Sequence, residues 1–310
     1  MKLNIVIPCF NEEEVLHETN RQLTELVESM IKEKLLTECI IMYVDDGSKD
    51  HTWEIIEELQ TTSPYTHGLK LAHNVGHQNA LWAGLEQSVD KCDAVVTMDA
   101  DLQHDIHKIQ DMVVAYQAGY EVVYGIRNSR ANDSGFKKRT ALFFYKLMQK
   151  MGVDLIPNHA DFRLLGKNAL QALLEFPERN LFLRGMVRLL GFKENYVYFD
   201  CNERFAGKSK YSTKRMFSFA VDGITSFSVQ PLRIITLIGV VCLGVAVAEM
   251  IYIIVAYFQG RTIQGWASLL FSVWLLGGLL LFSIGVVGEY IGKIYKEVKR
   301  RPRYIIEKQI

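Results

Sequence analysis

Two long apolar segments near the carboxyl end constrain this chain more than any other feature. Residues 234–258 contain a single charged residue, Glu249, and residues 266–288 contain none. Each segment exceeds the ~20 residues that an α-helix needs to cross ~30 Å of bilayer hydrocarbon. We therefore predict a two-helix transmembrane hairpin over residues 234–288. The alternative is a helical hairpin buried in a soluble core.

The charges around the hairpin predict its orientation. The short connection QGRTIQG contains only Arg261, whereas basic residues precede the first segment and follow the second. By the positive-inside rule, we expect a cell membrane protein with two spans, both termini in the cytoplasm and the connection outside. An ionisable residue within a span is usually functional or paired. For Glu249 we favour pairing between helices or subunits over a transport path.

The rest of the chain is predicted to form three further parts. Residues 1–215 form a cytosolic α/β domain, and residues 289–310 form a basic cytoplasmic tail. Residues 216–233 place Phe217, Val221 and Ile224 on one helical face, which predicts an amphipathic helix in the membrane interface. An ordinary packing helix of the soluble domain is the alternative.

Composition limits the partners and the compartment. Lys and Arg together number 35, as do Asp and Glu, so no net charge attracts nucleic acid and we predict no nucleic-acid partner. The five cysteines are scattered and have no metal-ligand spacing, which indicates a reducing compartment. The first residues lack the pattern of a signal peptide, so we expect the domain to stay in the cytosol.

Apolar runs alternate with helical patterns over residues 1–125. Such alternation predicts right-handed crossovers and a mostly parallel sheet covered on both faces. The apolar runs are followed by NEEE, DDGS and DADLQ, and ligands of such sheets bind beyond the carboxyl ends of the strands. We expect these polar clusters to converge on one edge, where Glu12 and Asp46 are placed to accept hydrogen bonds from a base or a ribose.

The acidic cluster in VVTMDADLQHD suggests a metal site. Asp99 and Asp101 are two residues apart at a strand end, so both can flank one cation. Carboxylate oxygens suit Mg²⁺ or Mn²⁺, and an ion with open positions can bind a diphosphate. The alternative is a solvated acidic turn.

The ordered motifs resemble the polyprenyl-phosphate glycosyltransferases of glycosyltransferase family 2, which include dolichol-phosphate mannose synthases and bactoprenol glucosyltransferases. The resemblance covers essentially the whole chain and rests on VIPCFNEEE, YVDDGSKDHT, NVGHQNALWAGL, VTMDADLQHD, YGIRNSR, DFRLL and ERFAGKSKYS, followed by two spans. It implies a GT-A fold that transfers a sugar from a nucleotide sugar to a lipid phosphate with inversion.

The resemblance also implies roles for individual residues. The nucleotide sugar, most often a uridine nucleotide, would be held by Pro8, Phe10, Asn11, Glu12, Asp46, Asn74 and Asp99. The metal ligands would be Asp99, Asp101 and Gln103, and the phosphate contacts Arg127, Arg139, Arg204 and Lys210. His77 occupies a position that is often basic in the family.

Asp101 and Asp161 are the candidate catalytic residues. Asp161, in HADFRLL, is a candidate for a base-like role toward the acceptor. In the alternative interpretation its carboxylate orients Arg163 by a salt bridge. A lipid phosphate already carries negative charge and needs alignment more than activation.

We therefore predict an enzyme that transfers glucose from UDP-glucose to undecaprenyl phosphate at the cytoplasmic membrane face, for modification of cell-envelope glycans. N-acetylglucosamine and modified arabinose donors are alternatives, because no residue decides between them. A processive polysaccharide synthase is disfavoured by the absence of a QxxRW segment. The alternative from another class is a non-catalytic nucleotide-binding membrane scaffold or lipid translocator. Similar proteins suggest a homo-oligomer, such as a tetramer.

Overall fold

A computed structural model describes residues 1–128, 156–201, 225, 228–259 and 265–310 of the chain. The chain divides into two compact units. The first contains the described residues up to 201 together with 301–310, and the second contains the described residues from 225 to 300. Three predicted phosphate-binding residues, Arg139, Arg204 and Lys210, lie outside the described residues, as does most of the predicted interfacial helix.

The first unit is built on an eight-stranded sheet with the order β7-β5-β6-β4-β1-β2-β3-β8. The strands are β1 (Lys2–Cys9), β2 (Glu38–Asp45), β3 (Thr66–Leu71), β4 (Ala94–Thr97), β5 (Val122–Arg127), β6 (His159–Gly166), β7 (Glu194–Phe199) and β8 (Ile306–Gln309). Strands β4, β1, β2 and β3 are parallel neighbours, whereas β6 runs antiparallel to both β4 and β5. The predicted mostly parallel α/β sheet is confirmed.

Six helices connect the strands in the described part of this unit. They are α1 (Leu16–Lys32), α2 (Thr52–Thr62), α3 (His77–Ser88), α4 (Lys108–Gln117), α5 (Lys167–Leu174) and α6 (Leu183–Leu189). Helix α1 buries one apolar face, which includes Leu16, Leu23 and Met30. Residues 94–97 of β4 are all buried, as expected for a central strand with both faces covered.

Parallel register brings the polar clusters to one edge of the sheet. Cys9, the last residue of β1, pairs with Asp45, the last residue of β2, and Val6 pairs with Thr97 near the end of β4. The segments that follow these three strands therefore leave the sheet at the same edge, as the sequence predicts. This edge contains the candidate site.

The second unit contains two long helices, α7 (Gln230–Phe258) and α8 (Trp266–Lys299). Within them, Gln230–Ala256 and Leu275–Lys299 are long and apolar enough to cross a membrane, and neither apolar stretch is buried in the protein. The hydroxyl of Tyr290 in α8 donates to the backbone oxygen of Ser228 at 2.6 Å. Glu249 is exposed on α7, and its pairing remains a prediction.

The carboxyl-terminal segment differs from the predicted tail over residues 289–310. Helix α8 continues to Lys299, and the chain then returns to the sheet as β8, which pairs antiparallel with β3. The helix ends where Arg300 adopts a left-handed conformation with φ of 45°, two residues before Pro302. Proline shortly after a left-handed residue is a common helix stop. A hydropathy pattern identifies the apolar part of a helix and does not reveal the strand beyond it.

Candidate active site

The loops after β1 and β2 are joined by hydrogen bonds. The N–H of Asn11 donates to Ser48 Oγ at 3.0 Å, and the N–H of Lys49 donates back to Asn11 Oδ1 at 2.9 Å. The N–H of Glu12 donates to Thr52 Oγ1 at 2.9 Å. Short polar side chains pair readily with loop backbone in this way. Asn11 and Glu12 thus hold the two loops in one arrangement.

Asp46 holds a third loop, which follows β3. Its side chain is 3% exposed, and its two carboxylate oxygens accept the N–H groups of Val75 at 2.7 Å and Gly76 at 3.0 Å. Burial raises the pKa of Asp46, and these two donors oppose the rise. The structure therefore gives Asp46 a clear role in positioning Asn74, while direct contact with a nucleoside stays a prediction.

Asp45 is a residue that the sequence analysis missed. It is fully buried, one oxygen accepts the N–H of Ser48 at 3.1 Å, and Oδ2 has no hydrogen-bond partner within the described residues. A buried carboxylate oxygen without a partner is costly. Burial raises the pKa of Asp45. The doubled aspartate in VDDGS was the available sequence signal.

A cavity of about 450 Å³ lies between these loops and the end of β3. Its lining residues are Phe10, Gly47, Ser48, Lys49, Lys70, Leu71, Ala72, His73, Asn74 and Glu307. Phe10 and Asn74, both predicted to hold the nucleotide, are among them, and Pro8 is buried in β1 shortly before Phe10. The volume falls in the range typical of small-ligand sites.

Gly47 is required for this cavity. Its φ is +66°, and a Cβ atom there would lie 2.7 Å from the backbone nitrogen of Asn74. Glycine is the one residue that adopts this positive φ without strain and has no Cβ atom to clash with the Asn74 backbone. The close approach of the two loops therefore depends on this position.

Asp99, Asp101 and Gln103 follow β4 at the same edge. Asp101 Oδ1 accepts the N–H of Gln103 at 3.2 Å, and the Asp99 side chain is 33% exposed. Carboxylate and amide oxygens fit Mg²⁺ or Mn²⁺. No three His, Cys, Asp or Glu side chains are grouped to hold a metal among residues 1–128 and 156–201. The two carboxylates fit an ion that takes its remaining ligands from a diphosphate and water.

The antiparallel pairing of β4 with β6 brings Asp161 beside this cluster. Thr97 pairs with Arg163, and Thr97 Oγ1 donates to the backbone oxygen of Asp161 at 3.0 Å. The sequence separation between the two strands hides this proximity, because it depends on strand order. Asp161 and the segment after Thr97 therefore belong to one site.

Asp161 binds two arginines. It accepts a hydrogen bond from the buried Arg163, and Arg184 of α6 donates to both of its oxygens, at 3.1 Å and 2.8 Å. Burial alone would raise the pKa of Asp161, but the positive charges of Arg184 and Arg163 outweigh it and hold the pKa well below its usual value. A carboxylate with a low pKa is a weak base. These pairs favour the interpretation in which Asp161 orients arginines.

His77 connects the acidic cluster to Asp161. Its Nε2 lies 3.7 Å from Asp99 Oδ1 and 3.8 Å from Asp161 Oδ2. It is the first residue of α3, and Gly76 precedes it with φ of 90°. The imidazole is therefore positioned between two carboxylates at the open side of the site.

His104 supports Asp99 from the buried side. The N–H of Asp99 donates to His104 Nδ1 at 3.4 Å, and the imidazole stacks on Phe162 with ring centroids 5.1 Å apart. Burial lowers the pKa of His104, the negative charge of Asp99 opposes this decrease, and the positive charge of Arg127 adds to it. Arg127, the last residue of β5, thus acts on the same cluster. Sequence reasoning missed Arg184 and His104, because neither lies in the DxD pattern itself.

Comparison with known families agrees with this geometry. The family described as Glycosyl transferase family 2 matches residues 4–174, and the GtrB C-terminal hairpin matches residues 230–294. The chain is 54% identical over 98% of its length to the uncharacterized glycosyltransferase YkoT of Bacillus subtilis, covering 91% of that protein.

Two further relatives have informative names. The prophage bactoprenol glucosyl transferase homolog of Escherichia coli is 38% identical, with 99% of each chain covered. The SfII prophage-derived bactoprenol glucosyl transferase of Shigella flexneri is 40% identical, covering 99% of this chain and 98% of that one. Among solved structures, the mannosyltransferase PcManGT of Pyrobaculum calidifontis matches with a TM-score of 0.51 and 15% identity, covering 72% of this chain and 63% of that one.

Proposed function

The chain belongs to glycosyltransferase family 2, and we propose that it transfers a sugar from a nucleotide sugar to polyprenyl phosphate at a membrane surface. The donor we propose is UDP-glucose and the acceptor undecaprenyl phosphate. Relatives named bactoprenol glucosyl transferase at 38–40% identity support this choice. The described residues support binding of a nucleotide sugar in general, and the choice of glucose rests on the relatives alone.

One observation carries the proposal. The cavity beside Phe10 and the acidic cluster at Asp99 both follow parallel strands at the same edge of the sheet. A nucleoside in the cavity and a diphosphate at Asp99 and Asp101 would form one continuous donor site. Ligands of parallel sheets bind beyond the strands' carboxyl ends.

In the proposed reaction, an oxygen of the lipid phosphate attacks the anomeric carbon of the sugar. The bond from that carbon to the donor diphosphate breaks, the nucleoside diphosphate leaves, and the configuration inverts. The attacking oxygen is already anionic, so no proton has to be removed. This agrees with the low pKa and the paired state of Asp161.

Positive charge is what the reaction requires from the protein. Two phosphorylated molecules repel one another, and arginine offsets this by charge-assisted hydrogen bonds to phosphate. Arg184 is placed to do so beside Asp161, and we expect Arg127, Arg139, Arg204 and Lys210 to add to it. Mg²⁺ or Mn²⁺ held by Asp99, Asp101 and Gln103 would stabilise the charge on the leaving diphosphate.

The two apolar helices support a membrane location, where the acceptor's phosphate lies. We propose that both termini are cytoplasmic and that the protein is a homo-oligomer, such as a tetramer. The interfacial position of residues 216–233 remains part of this proposal.

The test is transfer by the purified full-length protein. It is incubated with undecaprenyl phosphate, Mg²⁺ or Mn²⁺, and a panel of labelled UDP-sugars. We expect label in the lipid extract with UDP-glucose, and its loss with EDTA or in Asp101→Asn. Nucleotide binding with no transfer from any donor would instead support a non-catalytic scaffold.

A further inference from the structure

The carboxyl-terminal strand β8 supplies a wall of the cavity. Glu307, in the middle of this strand, lines the cavity together with Phe10 and Asn74. The matched family ranges, residues 4–174 and 230–294, both stop before β8. No role is assigned to this strand by those matches.

The chain is anchored to the first unit before β8 begins. Arg303 donates to the backbone oxygens of Phe176 at 3.0 Å and Glu178 at 2.7 Å, and its guanidinium lies 4.2 Å from the centroid of the Trp82 ring. The hydroxyl of Tyr304 donates to Glu86 at 2.6 Å. Hydrogen bonds and a cation–π contact of this kind fix a segment at several points. Glu307 therefore follows an immobilised stretch of chain.

The residue after β8 is anchored as well. Gly68 and Ile310 exchange backbone hydrogen bonds of 3.1 Å and 2.9 Å. A Cβ at Gly68 would lie 2.7 Å from the Ile56 side chain and 2.9 Å from the Ile310 side chain, so the absence of a side chain at Gly68 leaves room for both. Anchors on both sides set the register of β8 against β3.

Two neighbouring side chains of β8 form separate ion pairs. The Glu307 carboxylate lies 3.1 Å from Lys70 Nζ, and both residues line the cavity. Lys308 lies 2.5 Å from Glu57, which is outside the cavity lining. The register of β8 against β3 is irregular here, because Lys308 pairs with Lys70 and Ile306 pairs with Leu71, which leaves Glu307 between them without a register partner on β3. Glu307 lines the cavity, and Lys308 does not.

We propose that Glu307 is a nucleoside-binding residue, whose carboxylate accepts a hydrogen bond from the donor nucleotide while Lys70 orients it. A carboxylate only accepts, so its partner is a ribose hydroxyl or the N–H of the uracil ring. This proposal rests on the proposed function, since it takes the cavity as the nucleoside site. It makes the cavity incomplete without the strand that follows the second apolar helix.

The negative charge of UDP makes the direction of the change in its affinity informative. UDP is an anion, so removal of a carboxylate that does not contact it should leave its affinity unchanged or increase it. Removal of a carboxylate that accepts a hydrogen bond from the nucleoside should decrease the affinity. The two possibilities thus predict opposite changes.

The experiment measures the Kd of UDP by calorimetry for full-length protein in detergent. We expect Glu307→Ala to weaken UDP binding about tenfold, the usual scale for a lost hydrogen bond to a charged group. Glu57→Ala is the matched control, because it removes a carboxylate from the other Lys–Glu pair of β8. We expect its Kd to stay within about twofold of wild type, since Glu57 is outside the cavity.

Analogues identify the hydrogen-bond donor. The Kd values of 2′-deoxy-UDP, 3′-deoxy-UDP and N3-methyl-UDP are measured for wild type and for Glu307→Ala. The analogue that lacks the group bound by Glu307 should have nearly the same Kd for both proteins. Unchanged or tighter UDP binding by Glu307→Ala would overturn this proposal, while transfer by wild type would leave the proposed function standing. A wild-type protein that neither binds UDP nor transfers from it would overturn both.

Discussion

Asp161 shows how a residue's partners change the role that its sequence context suggests. Its carboxylate pairs with the buried Arg163 and the partly exposed Arg184, so removal of its charge takes an ion-pair partner away from each of these two guanidinium groups. Breaking a buried pair costs about 3–5 kcal/mol. We expect Asp161→Asn to lower the melting temperature and to abolish transfer together.

The matched comparison is Arg184→Gln, which removes only the more exposed partner. We expect this variant to melt close to wild type while transfer falls, because Arg184 is 31% exposed and Arg163 still pairs with Asp161. Melting is followed by tryptophan fluorescence, and transfer by lipid-extractable label. If Asp161→Asn melts like wild type but transfers nothing, the base role becomes the better interpretation.

Gly47 allows a second test at the level of one residue. We expect Gly47→Ala to weaken UDP binding and to destabilise the domain by about 1–3 kcal/mol, since it combines backbone strain with a clash against Asn74. Gly119→Ala is the control, because Gly119 also has a positive φ, +91°, but faces open space. Equal UDP affinities for the two variants would contradict the role of Gly47 in shaping the cavity.

The two apolar helices, α7 and α8, allow a test of the predicted membrane topology. We expect the connection between α7 and α8 to lie outside the cell. Thr262→Cys in a Cys201→Ser background should react with a membrane-impermeant maleimide in intact cells. The other cysteines are either buried, as Cys9, Cys39 and Cys92 are, or within α7, as Cys242 is.

Cys201 is the internal control for this labelling. It is exposed in the wild-type chain and belongs to the predicted cytoplasmic domain, so it should react only after the cells are permeabilised. The reverse pattern, with Cys201 labelled in intact cells and position 262 protected, would contradict the positive-inside assignment.

The stability of the whole chain should depend on pH through His159. This side chain is 6% exposed, and its ring contacts Tyr124 at a centroid distance of 4.9 Å. Burial lowers its pKa well below the usual value, and the charges of Arg163, Arg184 and Arg188 lower it further, while Asp161 acts against them. Below about pH 6.5 the unfolded chain therefore binds a proton that the folded chain does not.

The folded state should lose stability as the pH falls below about 6.5, by up to about 1.4 kcal/mol per pH unit for each such histidine. His159→Phe keeps a ring against Tyr124 and removes the titration. Melting temperatures at pH 7, 6 and 5 should decrease less for His159→Phe than for wild type. Identical slopes for the two proteins would show that His159 does not contribute.

The sequence alone determines much of this molecule, because periodicity and strand-end chemistry are local. Continuous apolar runs predict β1, β2 and β4, and the polar residues after them predict the edge of the sheet that contains the candidate site. The two apolar segments predict α7 and α8 by length alone. The motif set also identifies the family, which the matches over residues 4–174 and 230–294 confirm.

Tertiary structure decided the rest, because the remaining contacts join residues far apart in the chain. The antiparallel pairing of β4 with β6 brings Asp161 to Asp99, and α6 brings Arg184 to Asp161. The return of β8 to β3 places Glu307 in the cavity after two long helices intervene. Local patterns carry no information on strand order, so which distant charges meet is decided only when the sheet assembles.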